Sequence, residues 1–324
     1  MKISPLLRGF LPLGLLLQIS TPGFAAQCKI QRLETPVIMD GVHPIITAQI
    51  NGKDARFTLN SGSWWSSMSS TAAQAYQLRL DPKFTQDQIG SAGRSTMNVA
   101  TVDTFTVFNT IFRKIDFLVG GDASGSSTAG RIGLNILRMA DVEYDLAHGS
   151  VNFLQTHNCQ NARLVYWAKP GDTYSLMSIE RVTHDNPNTV GTAYLNGKRL
   201  RVWFDTGSTT SWVGLSAAAR AGFKPGDPGV EEFNAGTSSN PRRAWIATFP
   251  SFKMGDEEIR NARLRFTDLG QFDMVVGADF FLSHHVLVAN SQSNLYFTYN
   301  GGPVFNDARA LEMEKARGLG GPQY

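Results

Sequence analysis

Charge is scarce in this chain. Only 18% of its 324 residues are charged, against 42% that are hydrophobic. That balance excludes a solvated, open chain and leaves enough apolar material for one large core or two ordinary ones. Neither sign of charge dominates. The formal net charge is +3, and residues 1–26 carry Lys2 and Arg8 with no acid, so the remainder holds 28 basic and 27 acidic residues. Nothing there supports a nucleic-acid partner. Cysteine is nearly absent: Cys28 and Cys159 are the only two. Two cysteines so far apart are not a zinc pattern, and the adjacent His284-His285 would face opposite ways on a strand, so no metal is expected. The Gly- and Ser-rich stretch 120–130 lacks the lysine of a phosphate-binding loop and reads as a solvent loop; no cofactor is expected.

Long apolar runs are missing too. The best is Phe10–Ile19, interrupted by Pro12, Gly14 and Gln18. It is well short of the roughly 20 residues a membrane-spanning helix needs. With Lys2 and Arg8 before it and the small Gly23, Ala25 and Ala26 after it, residues 1–26 read as a secretory signal, cleaved after Ala25 or Ala26. Gln27 stands where a lipoprotein signal would want a small residue before Cys28. The expected product is exported, to the periplasm or the medium, without a stable membrane anchor. Two cysteines in an exported chain suggest a disulfide, Cys28 to Cys159, with two free thiols as the alternative.

What the chain does contain is a repeat. Thr47-Ala48 and Asn51-Gly52-Lys53 recur as Thr192-Ala193 and Asn196-Gly197-Lys198. Asn60-Ser61-Gly62-Ser63 recurs as Asp205-Thr206-Gly207-Ser208, and Ala72-Ala73 as Ala217-Ala218. Every pair lies 145 residues apart, and one offset held across separated segments means a duplicated unit. Each copy opens with a β-rich stretch, 31–38 and 174–182. Each continues into a hairpin turning on Asn-Gly between alternating apolar residues, Ile45–Ile50 into Ala55–Leu59 and Val190–Leu195 into Leu200–Phe204. The second hairpin strand runs into the Asn/Asp-Ser/Thr-Gly-Ser loop. A short alanine-rich helix follows, 71–77 and 216–221, and later an apolar-Gly element, Arg131-Ile132-Gly133 and Val275-Val276-Gly277. Each copy closes on strands, 142–144 with 150–154 and 286–289 with 295–299. The many short strands indicate an all-β class. The expected organisation is residues 27–162 and 163–304 as two units, joined near a turn at Lys169–Asp172, and a polar tail over 305–324 with a short helix at 308–316.

Phe204-Asp205-Thr206-Gly207-Ser208, placed at a strand end inside a matched repeat with Val276-Gly277 downstream, resembles the aspartic-protease superfamily. The closest type is the retropepsin-like unit, single in retroviral proteases and doubled in pepsin-like chains. The resemblance spans nearly all of residues 27–304. It implies two β-barrel units about a pseudo-two-fold axis, a monomer that is an internal pseudo-dimer. It also implies two acids sharing a proton, one activating water and the other protonating the peptide carbonyl. Asp205 is then the water-activating carboxylate. Gly207 and Gly62 permit close backbone approach, and Thr206 and Ser61 brace the loops. Ser208 and Ser63 contact substrate, and Gly93 and Gly236 lie on flap hairpins near 89–94 and 233–238. An extended peptide or protein segment is the implied partner.

The departure is Asn60, where the family pattern has aspartate. The amide keeps the shape and loses the proton chemistry. Without a second acid, no like-charge repulsion raises the Asp205 pKa, and severely reduced hydrolysis is expected. Activity could persist by pairing Asp205 of two chains or by deamidation of Asn60, and a purely structural envelope module is the third alternative. Trp64, Trp65 and Trp212, which follow the loops, are expected to be packing residues.

Overall fold

The computed structural model describes residues 27–90, 93–120, 127–169, 171–183, 186–235, 242–270 and 272–305, with backbone alone at 82–84, 86–90 and 93–95. The signal segment, Gly236, the loop 121–126 and the tail helix fall outside these residues.

In chain order the first half contains β1 (Lys29–Pro36), β2 (Ile38–Asp40), β3 (His43–Ile50), β4 (Lys53–Leu59), β5 (Ser67–Met68), helix α1 (Ser70–Ala75), β6 (Leu80–Gly90), β7 (Gly93–Val107), β8 (Thr110–Val119), β9 (Gly130–Ile132), helix α2 (Leu134–Leu137), β10 (Asp141–Asp145) and β11 (Ser150–His157). The second half contains β12 (Ser175–Ser178), β13 (Val190–Leu195), β14 (Lys198–Phe204), β15 (Trp212–Gly214), helix α3 (Leu215–Arg220), β16 (Glu231–Asn234), β17 (Arg243–Met254), β18 (Glu257–Thr267), β19 (Met274–Val276), helix α4 (Ala278–Ser283), β20 (His284–Ala289) and β21 (Asn294–Tyr299).

The hairpins form where the Asn-Gly pairs place them. Asn51 and Gly52 have φ of +50° and +78°, and Asn196 and Gly197 have +48° and +74°. Two successive left-handed residues make the tight turn whose twist matches the flanking strands. Strands β3 and β4 then pair from Ile45↔Thr58 to Ile50↔Lys53, and β13 and β14 from Val190↔Trp203 to Leu195↔Lys198. Alternate residues on these strands are buried, so one face of each hairpin makes the core.

Each half curls into a barrel-like unit. The first sheet runs β2-β3-β4-β9-β5-β8-β7-β6, with β3 also meeting β7. The second runs β13-β14-β19-β15-β18-β17-β16, with β13 also meeting β17. The repeat extends to pairing direction. Strands β4 with β9 and β5 with β8 are parallel, as are β14 with β19 and β15 with β18. The fold is all-β in two repeats, with only short helices.

The closing strand pairs behave differently from a reading of each unit alone. They fuse into one six-stranded sheet, β1-β11-β10-β20-β21-β12. The seam is β10 against β20, with Val142↔Val288 and Tyr144↔Val286. Each unit on its own would leave a strand edge unpaired there, and the pseudo-symmetric partner supplies the missing edge. A buried polar cluster pins the same seam. Glu143, fully buried, accepts hydrogen bonds from His285 (2.6 Å), Tyr166 (2.5 Å) and Asn152 (2.8 Å). Burial pushes its carboxyl up, and these partners together outweigh that and hold it below the ordinary carboxylate range.

Cys28 and Cys159 form a disulfide with Cα atoms 4.6 Å apart, clamping the ends of the β1–β11 pair. The bridge closes a sequence separation of 131 residues. Replacing both cysteines with serine is expected to cost about 3–5 kcal/mol in the chain-entropy picture. Urea unfolding of the double variant measures this; an unchanged midpoint would show that strand pairing alone fixes the ends.

Candidate functional site

Strands β4 and β14 deliver the two repeated loops to the same place. As each chain leaves its strand, its next amide is caught by the neighbouring parallel strand. Asn60 N–H donates to Ile132 O at 3.0 Å and Asp205 N–H to Val276 O at 2.9 Å. The loops then turn on themselves, with Ser63 N–H donating to Asn60 O and Ser208 N–H to Asp205 O, both at 3.2 Å. The apolar-Gly elements therefore set the base of each loop.

The loops are bolted to each other by an exchange of hydroxyls. Thr206 Oγ1 accepts from Ser61 N–H at 3.0 Å and donates to Leu59 O at 3.2 Å. Ser61 Oγ accepts from Thr206 N–H at 3.0 Å and donates to Phe204 O at 3.1 Å. All four bonds cross between units and are buried. Each hydroxyl satisfies an amide and a carbonyl of the opposite loop, groups that would be costly to leave unpaired at this depth.

The glycines explain the spacing. A Cβ on Gly62 would lie 2.1 Å from Asp205 Cγ, and a Cβ on Gly207 would lie 2.2 Å from Asn60 Nδ2. Only a residue without a side chain lets each functional group seat against the opposite loop. The polar ends are held alike. Asp205 Oδ1 accepts from Gly207 N–H at 2.8 Å, and Asn60 Oδ1 accepts from Gly62 N–H at 3.0 Å. The second bond orients the amide, turning its NH2 towards Gly207. Asn60 thus occupies the aspartate position without distorting it.

Asp205 is 1% exposed. Burial pushes its carboxyl up to about 6, against the downward pull of the Gly207, Gly62 and Ser208 amides and the Arg131 guanidinium. The sequence suggests no upward shift because it offers no like charge to cause one; depth, which a sequence does not display, supplies the shift instead. The site therefore holds one titratable carboxylate, mostly ionised at neutral pH and able to take a proton from water. Opposite it is an amide that can donate or accept a hydrogen bond but cannot release a proton.

The site residues read from sequence divide into three sets. Asn60, Ser61, Gly62, Asp205, Thr206 and Gly207 are brought together. Ser208 is fully buried and its hydroxyl donates to Thr210 O at 2.8 Å, so its side chain has no surface to offer a substrate. Ser63, half-buried, donates to Trp65 O. Gly93 faces Gly90 across the β6–β7 hairpin, at the end of that strand pair. Trp212 is buried as packing, whereas Trp64 and Trp65 are 43% and 37% exposed, which corrects the packing assignment for that pair.

A second pair of brackets is easily missed. Asn135 Oδ1 accepts from Ser66 N–H and Oγ–H at 2.7 and 2.8 Å, and Ser66 Oγ accepts from Gly133 N–H. In the other unit Asp279 accepts from Ser211 N–H and Oγ–H at 2.9 and 2.7 Å, and Ser211 Oγ accepts from Gly277 N–H. Ser66 and Ser211 lie 145 residues apart, and Asn135 and Asp279, like Gly133 and Gly277, lie 144 apart, so the signal lies in the sequence.

Two segments, residues 46–136 and 191–280, match a family model described as Aspartyl protease; together they cover more than half of the chain. Each segment contains one of the two repeated loops. A solved retropepsin-like aspartic protease from Rickettsia conorii is similar at 16% identity, covering 40% of this chain and 96% of its own, with a TM-score of 0.30. No curated protein matches the sequence.

The buried carboxylate makes a pH prediction. Its folded pKa of about 6 lies above its ordinary value of 3.8. It therefore stabilises the fold fully below the lower value and loses that contribution as pH rises through 6, by up to about 3 kcal/mol. Asp205→Asn removes this slope. Urea midpoints for both proteins at pH 4 and pH 7.5 should show the variant gaining relative to wild type at the higher pH; parallel curves would mean that Asp205 titrates normally.

Proposed function

The chain belongs to the aspartyl protease family, and from that premise we propose that it is an exported member that holds an extended peptide between its two units, with hydrolysis lost or strongly reduced. The single observation that carries the reading is Asn60. It sits in an undisturbed loop opposite Asp205, so the binding frame is retained while one of two proton-handling groups is gone. The remaining carboxylate can act as a base, but among the described residues no acid faces it to protonate the carbonyl oxygen or the leaving amine. General acid–base assistance contributes about 10²–10⁴-fold per group, which sets the size of the deficit. The disulfide supports an oxidising compartment and so supports export.

A second reading, an active endopeptidase, draws support from the raised pKa of Asp205, which makes it a stronger base than an ordinary aspartate. Of its two routes, pairing Asp205 across two chains would require undoing the four buried bonds that hold the loops together within one chain. Deamidation of Asn60 leaves the two loops paired but requires the Ser61 amide to leave Thr206 Oγ1 and attack the Asn60 side chain, and a mass increase of the Asn60-containing peptide in protein isolated after export would reveal it.

Incubation of the mature protein with an unfolded protein substrate from pH 3 to 8 tests the proposal. Peptides retained on the protein but cleaved at a rate at least about 100-fold below that of a two-acid homologue are expected. Robust cleavage that disappears in Asp205→Ala would overturn it.

A further inference from the structure

The two units differ at a second place beside the loops. On β14, β19 and β15 of the second unit, Trp203 and Trp212 both flank Val275 in the strand register. These three residues are buried in one apolar cluster with Ala235, Ala244 and Leu269. The equivalent positions on β4, β9 and β5 of the first unit are Thr58, Arg131 and Ser67, with Thr58 and Ser67 both flanking Arg131 in the same register. All three apolar residues have been exchanged for polar ones, on strands whose opposite faces still pack into the core through Leu59, Ile132 and Met68.

Arg131 is the uncommon member of that set. It precedes Ile132, whose carbonyl catches the Asn60 amide, so it stands next to the base of the functional loop. Its side chain is solvent-exposed, yet the surrounding chain desolvates it enough to lower its pKa, with Asp205 pulling the other way. Among the described residues no hydrogen bond or ion pair ties its guanidinium down. Asp205 acts on it at Coulomb range without ion-pair contact, so its donors stay open to a second carboxylate. The comparable cation of the second unit, Arg265, is 2% exposed and lies over the Trp212 and Phe233 rings, unavailable to a ligand.

We infer that Arg131, with the Thr58 and Ser67 hydroxyls beside it, forms a carboxylate-binding subsite that selects peptides carrying Asp or Glu next to the Asn60–Asp205 pair. A planar fork of donors matches a carboxylate in a way a point charge does not, and partial desolvation strengthens the contact. The inference rests on the peptide-binding reading given above and specifies which peptides it admits.

Affinity selection on the immobilised mature protein from a randomised octapeptide pool tests it. Wild type is expected to enrich Asp and Glu about tenfold at one position, with the enrichment reduced in 0.5 M salt. Arg131→Val installs the residue the second unit uses there and should abolish the acidic preference while other enriched positions persist. Arg131→Gln, which keeps length and polarity, should abolish it too and serves if the valine variant does not fold. Retained peptides with no acidic preference, or a preference intact in either variant, would overturn the inference and leave the peptide-binding reading standing. If wild type retains no peptide above background, the peptide-binding reading falls and the subsite with it.

Discussion

The structure depends on the exchange of hydroxyls between Ser61 and Thr206. Two loops from two barrels must meet in the interior, and each brings amides and carbonyls that water no longer reaches. A hydroxyl solves this from one atom, because it accepts from an amide and donates to a carbonyl at once. Two hydroxyls related by the repeat close the contact in both directions. The glycines that follow then bring Asn60 and Asp205 against the opposite loops. The six-stranded sheet shared by the two halves and the Glu143–His285 contact within it help to hold the barrels in register for this closure.

Much of this was legible in the sequence, and the reason is duplication. A repeat supplies its own comparison, so the 145-residue offset marked the hairpins and loops, and an offset of 144 the apolar-Gly elements, without any relative to consult. Asn-Gly turns fixed the hairpin registers, since two left-handed residues in succession admit few alternatives. The shared sheet was not legible. A strand that pairs with its own neighbour and a strand that also pairs across a pseudo-two-fold axis carry the same alternating pattern, and only the folded seam β10–β20 distinguishes them. Depth was equally hidden. Ser208 looked like a substrate contact by its place in the motif, and Asp205 looked like an unshifted acid by its lack of a charged partner; burial decides both. The exposure of Trp64 and Trp65 could not be read either, because aromatic residues after a buried loop fit packing and surface alike.

The two halves differ, and the differences share a pattern. In the first unit, Asn60 and Asn135 stand where the second has Asp205 and Asp279, and Thr58, Ser67 and Arg131 stand where the second has Trp203, Trp212 and Val275. Asp279 shows what was given up. Half-buried, with its carboxyl pushed up by desolvation, it accepts hydrogen bonds donated by the Ser211 amide and hydroxyl. Asn135 makes the same bonds to Ser66 without a charge to solvate. The first unit therefore keeps its backbone brackets while losing ionisable groups at the loop and gaining a cation beside it. That combination preserves shape and alters electrostatics.

On the reading proposed above, the loop pair lacks one proton-bearing group, at Asn60, and is otherwise intact. Restoring that group is the direct measurement: turnover of an unfolded protein substrate by Asn60→Asp, compared with wild type from pH 3 to 7. The expected outcome is a folded variant whose hydrolysis rises by about 10²-fold or more at acidic pH, where two facing carboxylates share a single proton. A folded variant no more active than wild type would contradict it.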